Sequence, residues 1–160
     1  MSHTLAAIDA LLTRYAHGPA HLRDAIRGLD AMALSARPIP GKLSSLEVVA
    51  HIVDSDQFMC DRMKRTICTD RPLVIGVESI DYVKPLDYAD RDPELDLRLL
   101  EVQREQMATD LRRLSADAWE RTAVHSETGL ATLGDLLEHA VDHLESHVEA
   151  IAQKRAALGL

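Results

Sequence analysis

Aromatic side chains are scarce in this chain: Phe, Trp and Tyr together make up 3% of it, with one Trp and one Phe. Pleated sheets draw on aromatic and β-branched residues, whereas the Leu and Ala that dominate here favour helices. Cysteine is rarer still, with only Cys60 and Cys68. Their spacing fits neither a redox CxxC pair nor a zinc ribbon. One straight helix through both holds them about 12 Å apart by its rise alone, too far for a disulfide. Free thiols suit a reducing compartment, so a cytoplasmic location is expected. Long apolar runs are missing, which excludes a membrane-spanning helix. The start, MSHTLAAIDALL, lacks the charged region and extended apolar core of a secretory signal. No run of Lys or Arg occurs, and the formal charge is −8. Such a chain repels phosphate backbones, so no nucleic-acid partner is expected.

What is present is a chain of 160 residues, 46% hydrophobic, enough for one domain over residues 1–160 with a real core. Leu5, Ile8, Leu11, Leu12 and Tyr15 recur at helical spacing over Thr4 to Ala16. Gly18-Pro19 is expected to break or kink that run, with a continuation over Ala20 to Leu29. Arg37-Pro38-Ile39-Pro40-Gly41 marks a connection. Ser44 or Ser45 then caps a second helix reaching about Cys68, with Glu47 in its first turn. The stretch from Thr69 to Asp92 reads as a long irregular loop, and such loops are either functional or mobile. A third helix is predicted from Pro93-Glu94 to about Leu114, then a short helical turn over Ser115 to Trp119 and a loop around Gly129. Thr132 with Asp135 resembles a capping box for a last helix ending near Leu158. The expected fold is all-α, a four-helix bundle.

The last helix carries His139, His143 and His147, each four residues from the next. Residues four apart share a face, so neighbouring imidazoles can converge on one ion. Its apolar stripe is Leu133, Leu136, Leu137, Ala140, Leu144, Val148 and Ile151. At 100° per residue His147 falls inside that stripe and His143 on its shoulder, while His139 lies further round towards the rim or solvent. This selects His143 and His147 as a ligand pair. On the second helix the main stripe is Val49, Ile52, Met59, Met63 and Ile67. His51 lies well away from it, on a weaker apolar face with Val48, Ser55 and Phe58, and periodicity alone does not choose it. Asp56 falls inside the main stripe, where a carboxylate is costly unless paired. It is either a buried salt-bridge partner or helix-cap contact, or a carboxylate that binds the metal or orients a ligand imidazole.

Two blocks carry a family resemblance. PGKLSSLEVVAHIVDSD, residues 40–56, places His51 and Asp56 in a helix behind a Pro-Gly-Lys turn. RTAVHSETGLATLGDLLEHAVDHLESHVEAI, residues 121–151, combines a loop with His125, Glu127 and Gly129, a capped helix, and His143, His147 and Ile151 at four-residue steps. The chain resembles the DinB-like superfamily, in particular the branch of YfiT-type proteins and bacterial thiol S-transferases. The resemblance implies a bundle of that type, with the long loop between its second and third helices, and the ligand set His51, His143 and His147. It further implies a divalent ion, zinc or nickel, with positions left for water or substrate, and a homodimer. The sequence departs from the family pattern at Leu43, where a Trp is usual, and at Ala150, where a Gln often stands.

Three neutral imidazoles leave the ion its full charge, so such a site acts as a Lewis acid and lowers the pKa of bound water or thiol. The expected function is a metal-dependent enzyme on a small-molecule substrate, with transfer of a low-molecular-weight thiol to an electrophile first and hydrolysis second. Candidate assisting groups are Asp56, His125 and Glu47, the last two read more simply as a loop residue and a first-turn helix acid. A non-catalytic metal-binding stress-response protein and a helical interaction module are the remaining alternatives.

Overall fold

The structure, a computed structural model, describes residues 3–160. Four long helices form a bundle: α1 (Leu5–Ile26), α3 (Ser45–Cys68), α4 (Pro93–Leu111) and α5 (Leu133–Ala157), with a short α2 (Ala31–Ser35) between the first two. Helices α1 and α3 each pack against both α4 and α5. The helix starts are chemically determined. Ser44 and Glu47 form a capping box on α3, and Thr132 and Asp135 form one on α5. Asp92 accepts from the first turn of α4, where Pro93 sits without an N–H to waste. Glu47 also pairs with Arg37, so it is the first-turn acid of the simpler reading.

Helix α1 corrects the expectation of a break at Gly18-Pro19, since it runs through both residues. Pro19 has no N–H to give the carbonyl four residues back, that of Tyr15. Arg104 Nη1 donates to that carbonyl instead, at 3.2 Å. Gly18 makes room for it, because a Cβ there would lie 2.5 Å from the same nitrogen. Arg104, on α4, also gives Asp56 of α3 bonds of 2.9 and 2.6 Å and the Ala140 carbonyl of α5 one of 3.0 Å. One buried guanidinium therefore ties all four long helices together. Apolar packing lies in two clusters, one around Tyr15, Met63, Met107, Leu111 and Leu137, the other around Leu22, Val49, Ile52, Leu97 and Leu144.

The connections hold more structure than the sequence suggested. Residues expected as a loop around Gly129 form a hairpin, β2 (Thr122–His125) and β3 (Gly129–Thr132), with Ala123 opposite Ala131. Gly129, at φ +82°, takes the left-handed conformation that such a turn requires. A two-residue strand β1 (Leu73–Val74) pairs parallel to β2. These strands are too short for an alternating pattern to show. The rest of the long connection makes 3-10 turns at Ser79–Tyr82 and Tyr88–Asp90. It is pinned to α3: the buried Tyr88 donates to Asp54 at 2.5 Å, and Arg91 bridges Asp54 at 3.0 Å and Asp96 at 2.5 Å. Helix α4 stops at Leu111, three residues before the predicted Leu114, in a turn that leads to the 3-10 segment Ala116–Glu120.

Candidate metal centre

Helices α3 and α5 face each other, and their histidines meet between them. The imidazoles of His51, His143 and His147 each offer a nitrogen, and these nitrogens lie within 4.8 Å of one another. Ring centroids are 4.7 Å apart for His51 and His147, 5.3 Å for His51 and His143, and 4.6 Å for His143 and His147. The last pair is one helical turn apart on α5, as their spacing demands. The second face of α3, with Val48, Ser55 and Phe58, brings His51 to them; in a bundle a helix serves two neighbours at once.

His51 is held from behind. Ser79 Oγ lies 3.2 Å from its Nδ1 and 2.6 Å from Ser55 Oγ. That contact engages one ring nitrogen and leaves Nε2 for the cluster. Burial depresses the basicity of all three rings. The His143 pKa is pushed down to about 3 and that of His147 to about 4, by burial first and then by the neighbouring imidazoles. The His51 value is also lowered by burial, against the opposing charges of Asp54 and Glu78. All three rings are thus neutral at pH 7, the form a cation requires. Three neutral nitrogen donors, converging and desolvated, fit a divalent ion of intermediate softness.

A cavity of about 500 Å³ opens beside His51 and His143. Its walls come from α3 (Ser55, Phe58, Met59, Arg62), the segment Gly76–Ile80, and the hairpin residues His125, Glu127 and Thr128. His139 is exposed and lines this cavity, its centroid 6.2 Å from that of His143. It stands at the rim, as the helical wheel suggested. His125 also lines the cavity, and its Nδ1 accepts from the Glu127 amide at 3.3 Å. Asp56 lies apart. Its carboxylate is 2% exposed and taken by Arg104 and by Gln103 at 2.9 Å. The salt-bridge role is the one the geometry displays, and the residue that touches a site imidazole is Ser79. Ser79 escaped sequence reading because it sits in an aperiodic connection. Arg62 escaped too, although it continues the Val48, Ser55, Phe58 row by one more turn.

A model of the DinB superfamily matches residues 14–151. The chain belongs to the DinB superfamily. A protein of Oceanobacillus iheyensis, provisionally named a metal-dependent hydrolase, is 24% identical over 141 residues, covering 86% of this chain and 81% of that one. Bacillus subtilis YfiT, described as a probable metal-dependent hydrolase with an unusual four-helix bundle topology, superposes with a TM-score of 0.93 at 23% identity, over 99% of this chain and 91% of that chain. A mycothiol-dependent maleylpyruvate isomerase superposes at 0.69 and 14% identity, over 88% of this chain and 59% of the longer enzyme. The YfiT-like bundle expected for a DinB-like protein is the fold observed. Among the described residues, no helix is long and apolar enough to cross a membrane.

Proposed function

We propose that this DinB-superfamily chain is a divalent-metal-dependent enzyme in which His51, His143 and His147 hold the ion and the adjoining cavity takes a small organic substrate. The carrying observation is the convergence of three neutral imidazoles, one buried and two half-buried, beside a cavity of about 500 Å³. When bound, the ion supplies Lewis acidity, lowering the pKa of a coordinated water or thiol and polarising an electrophile. The chain's own groups do the rest. Ser79 orients His51, Phe58 and Met59 give the substrate an apolar wall, and His125 and His139 stand where a proton can be taken up or released.

Hydrolysis of a small ester or amide is the first reading. Two relatives that match over most of their own length carry that description. Transfer of a low-molecular-weight thiol, the first expectation from sequence, is the second reading and is supported by the likeness to a mycothiol-dependent enzyme. The nitrogen donor set favours zinc or nickel over harder cations. Elemental analysis of untagged protein tests the metal: near-stoichiometric zinc or nickel that is lost on His143→Ala supports it, and its absence overturns it. Activity of the loaded protein on aryl esters, with and without added thiol, then separates the two reactions. No turnover of either kind leaves the non-catalytic metal-binding reading, a stress-response role included. The homodimer belongs to the same proposal. Leu95, Leu99 and Val102 form an exposed apolar row on α4 for a second copy to cover. A monomer by light scattering at micromolar concentration removes it.

A further inference from the structure

Among the described residues, two arginines are buried, and only one has an acid to answer it. Arg104 is clamped on Asp56. Arg62, 7% exposed, has no carboxylate within ion-pairing distance. It donates to the Ile75 carbonyl at 2.7 Å and makes a long contact of 3.7 Å with Met59 Sδ. The buried Lys154 also lacks an acid, but it donates to the Ala150 carbonyl and lines no cavity beside the histidines. Arg62 does line one, the same cavity as His51 and His143. Glu127, the nearest candidate partner, turns its carboxylate over Gly76, where any Cβ would collide with it. A guanidinium taken out of water without a carboxylate in direct contact is costly, and a planar fork of N–H donors matches a carboxylate better than a lone carbonyl.

We infer that Arg62 is the receptor for a carboxylate on the substrate, so that the cavity takes a small organic anion with its reactive group at the histidine cluster and its carboxylate at Arg62. This names the substrate class of the site proposed above and rests on that metal reading. Geometry sets the length of the ligand. Arg62 is eleven residues beyond His51 on one helix, nearly the same face and about 16 Å along the axis, and its side chain leans back towards the N-terminus. The two ends of the site are thus separated along the axis of α3, a span that an extended carbon chain can bridge. The acids that line the cavity, Glu78 and Glu127, are exposed, while the third, Asp135, is engaged in the cap of α5 and with His3. Burial pulls the guanidinium below its ordinary pKa despite the nearby charges of Glu127 and Asp61, a strain that an arriving carboxylate relieves.

The test uses the metal-loaded 160-residue chain and the monohydroxamates of six-, eight- and ten-carbon diacids, each compared with its terminal amide, in calorimetric titrations. The hydroxamate supplies the anchor at the metal, and the far end reports on Arg62. The expected result is a preference of about tenfold or more for the carboxylate over the amide at one chain length. Arg62→Gln reduces that ratio to near one, and Arg62→Lys restores part of it, with bound metal unchanged in both. The ratio in the native protein needs no variant, so a poorly folding substitution does not leave the matter open. Equal binding of acid and amide at every length overturns the inference and leaves the metal site standing. A preference that survives Arg62→Gln places the anion elsewhere and also overturns it. If no hydroxamate binds, and none shows a difference between native protein and His143→Ala, the metal reading itself fails, and this inference with it.

Discussion

His51 shows how much a single residue depends on its surroundings. Its helix carries it to the cluster, but the serine behind it decides which nitrogen is offered. Groups that orient a ligand imidazole affect metal affinity by about 10- to 100-fold. Ser79→Ala is therefore expected to weaken zinc binding by about that factor, as a competition titration with a chromogenic chelator will show. The pH response belongs to the same scale. Folded His143 and His147 hold protons only near about 3 and about 4. Unfolded histidine takes them up near about 6.5. As pH falls, the unfolded chain binds protons first, so the stability these rings contribute is complete above about 6.5 and is lost as pH falls towards their folded values. Denaturant melts of metal-free protein between pH about 7 and about 4.5 should decline more steeply than those of His143→Gln, and parallel profiles would count against it.

Among the elements, the instructive one is α1 with its Gly18-Pro19 pair. Either residue inside a helix is a local fault, and the pair read as a break. In the bundle each fault serves the same group, one by freeing a carbonyl and the other by vacating space for Arg104. Breaking a buried pair by removing one partner costs about 3–5 kcal/mol. Asp56→Asn is accordingly expected to lower unfolding free energy by roughly that amount, with metal content retained where the variant still folds. If Asp56 instead acts on the metal centre, the same variant loses zinc with little change in stability. The small sheet has a different origin. Strand β1 is held to β2 by main-chain pairing between segments distant in sequence, β2 and β3 form a short hairpin, and their residues have no periodicity of their own to advertise.

For the whole molecule, the histidine cluster joins α3 to α5, two long helices that no single loop connects. An ion bound only by the folded chain stabilises it by mass action, about 2.7 kcal/mol when its concentration is 100 times Kd. For a chain of this size that is roughly 5–10 °C in Tm. Zinc should raise Tm by about that much, a chelator should remove the gain, and His143→Ala should show none, which differential scanning calorimetry can check. An equal rise in the variant would place the metal elsewhere.

The helical class, a serine cap at Ser44 or Ser45, the cap at Thr132, and the pairing of His143 with His147 were decided by the sequence alone, because each depends on neighbours within one or two turns. Asp56 was legible as a problem, a carboxylate on an apolar stripe, but its solution lay on another helix at Arg104. The family resemblance supplied His51, which its own periodicity did not select. What only the tertiary structure decided were contacts between segments far apart along the chain: Ser79 behind His51, Arg62 facing the cavity without an acid, and the use of Gly18-Pro19 as a seat. The physical reason is common to all three. A local pattern records which face of a helix is buried, whereas a buried polar group is settled by whichever partner the packed chain brings within hydrogen-bond reach.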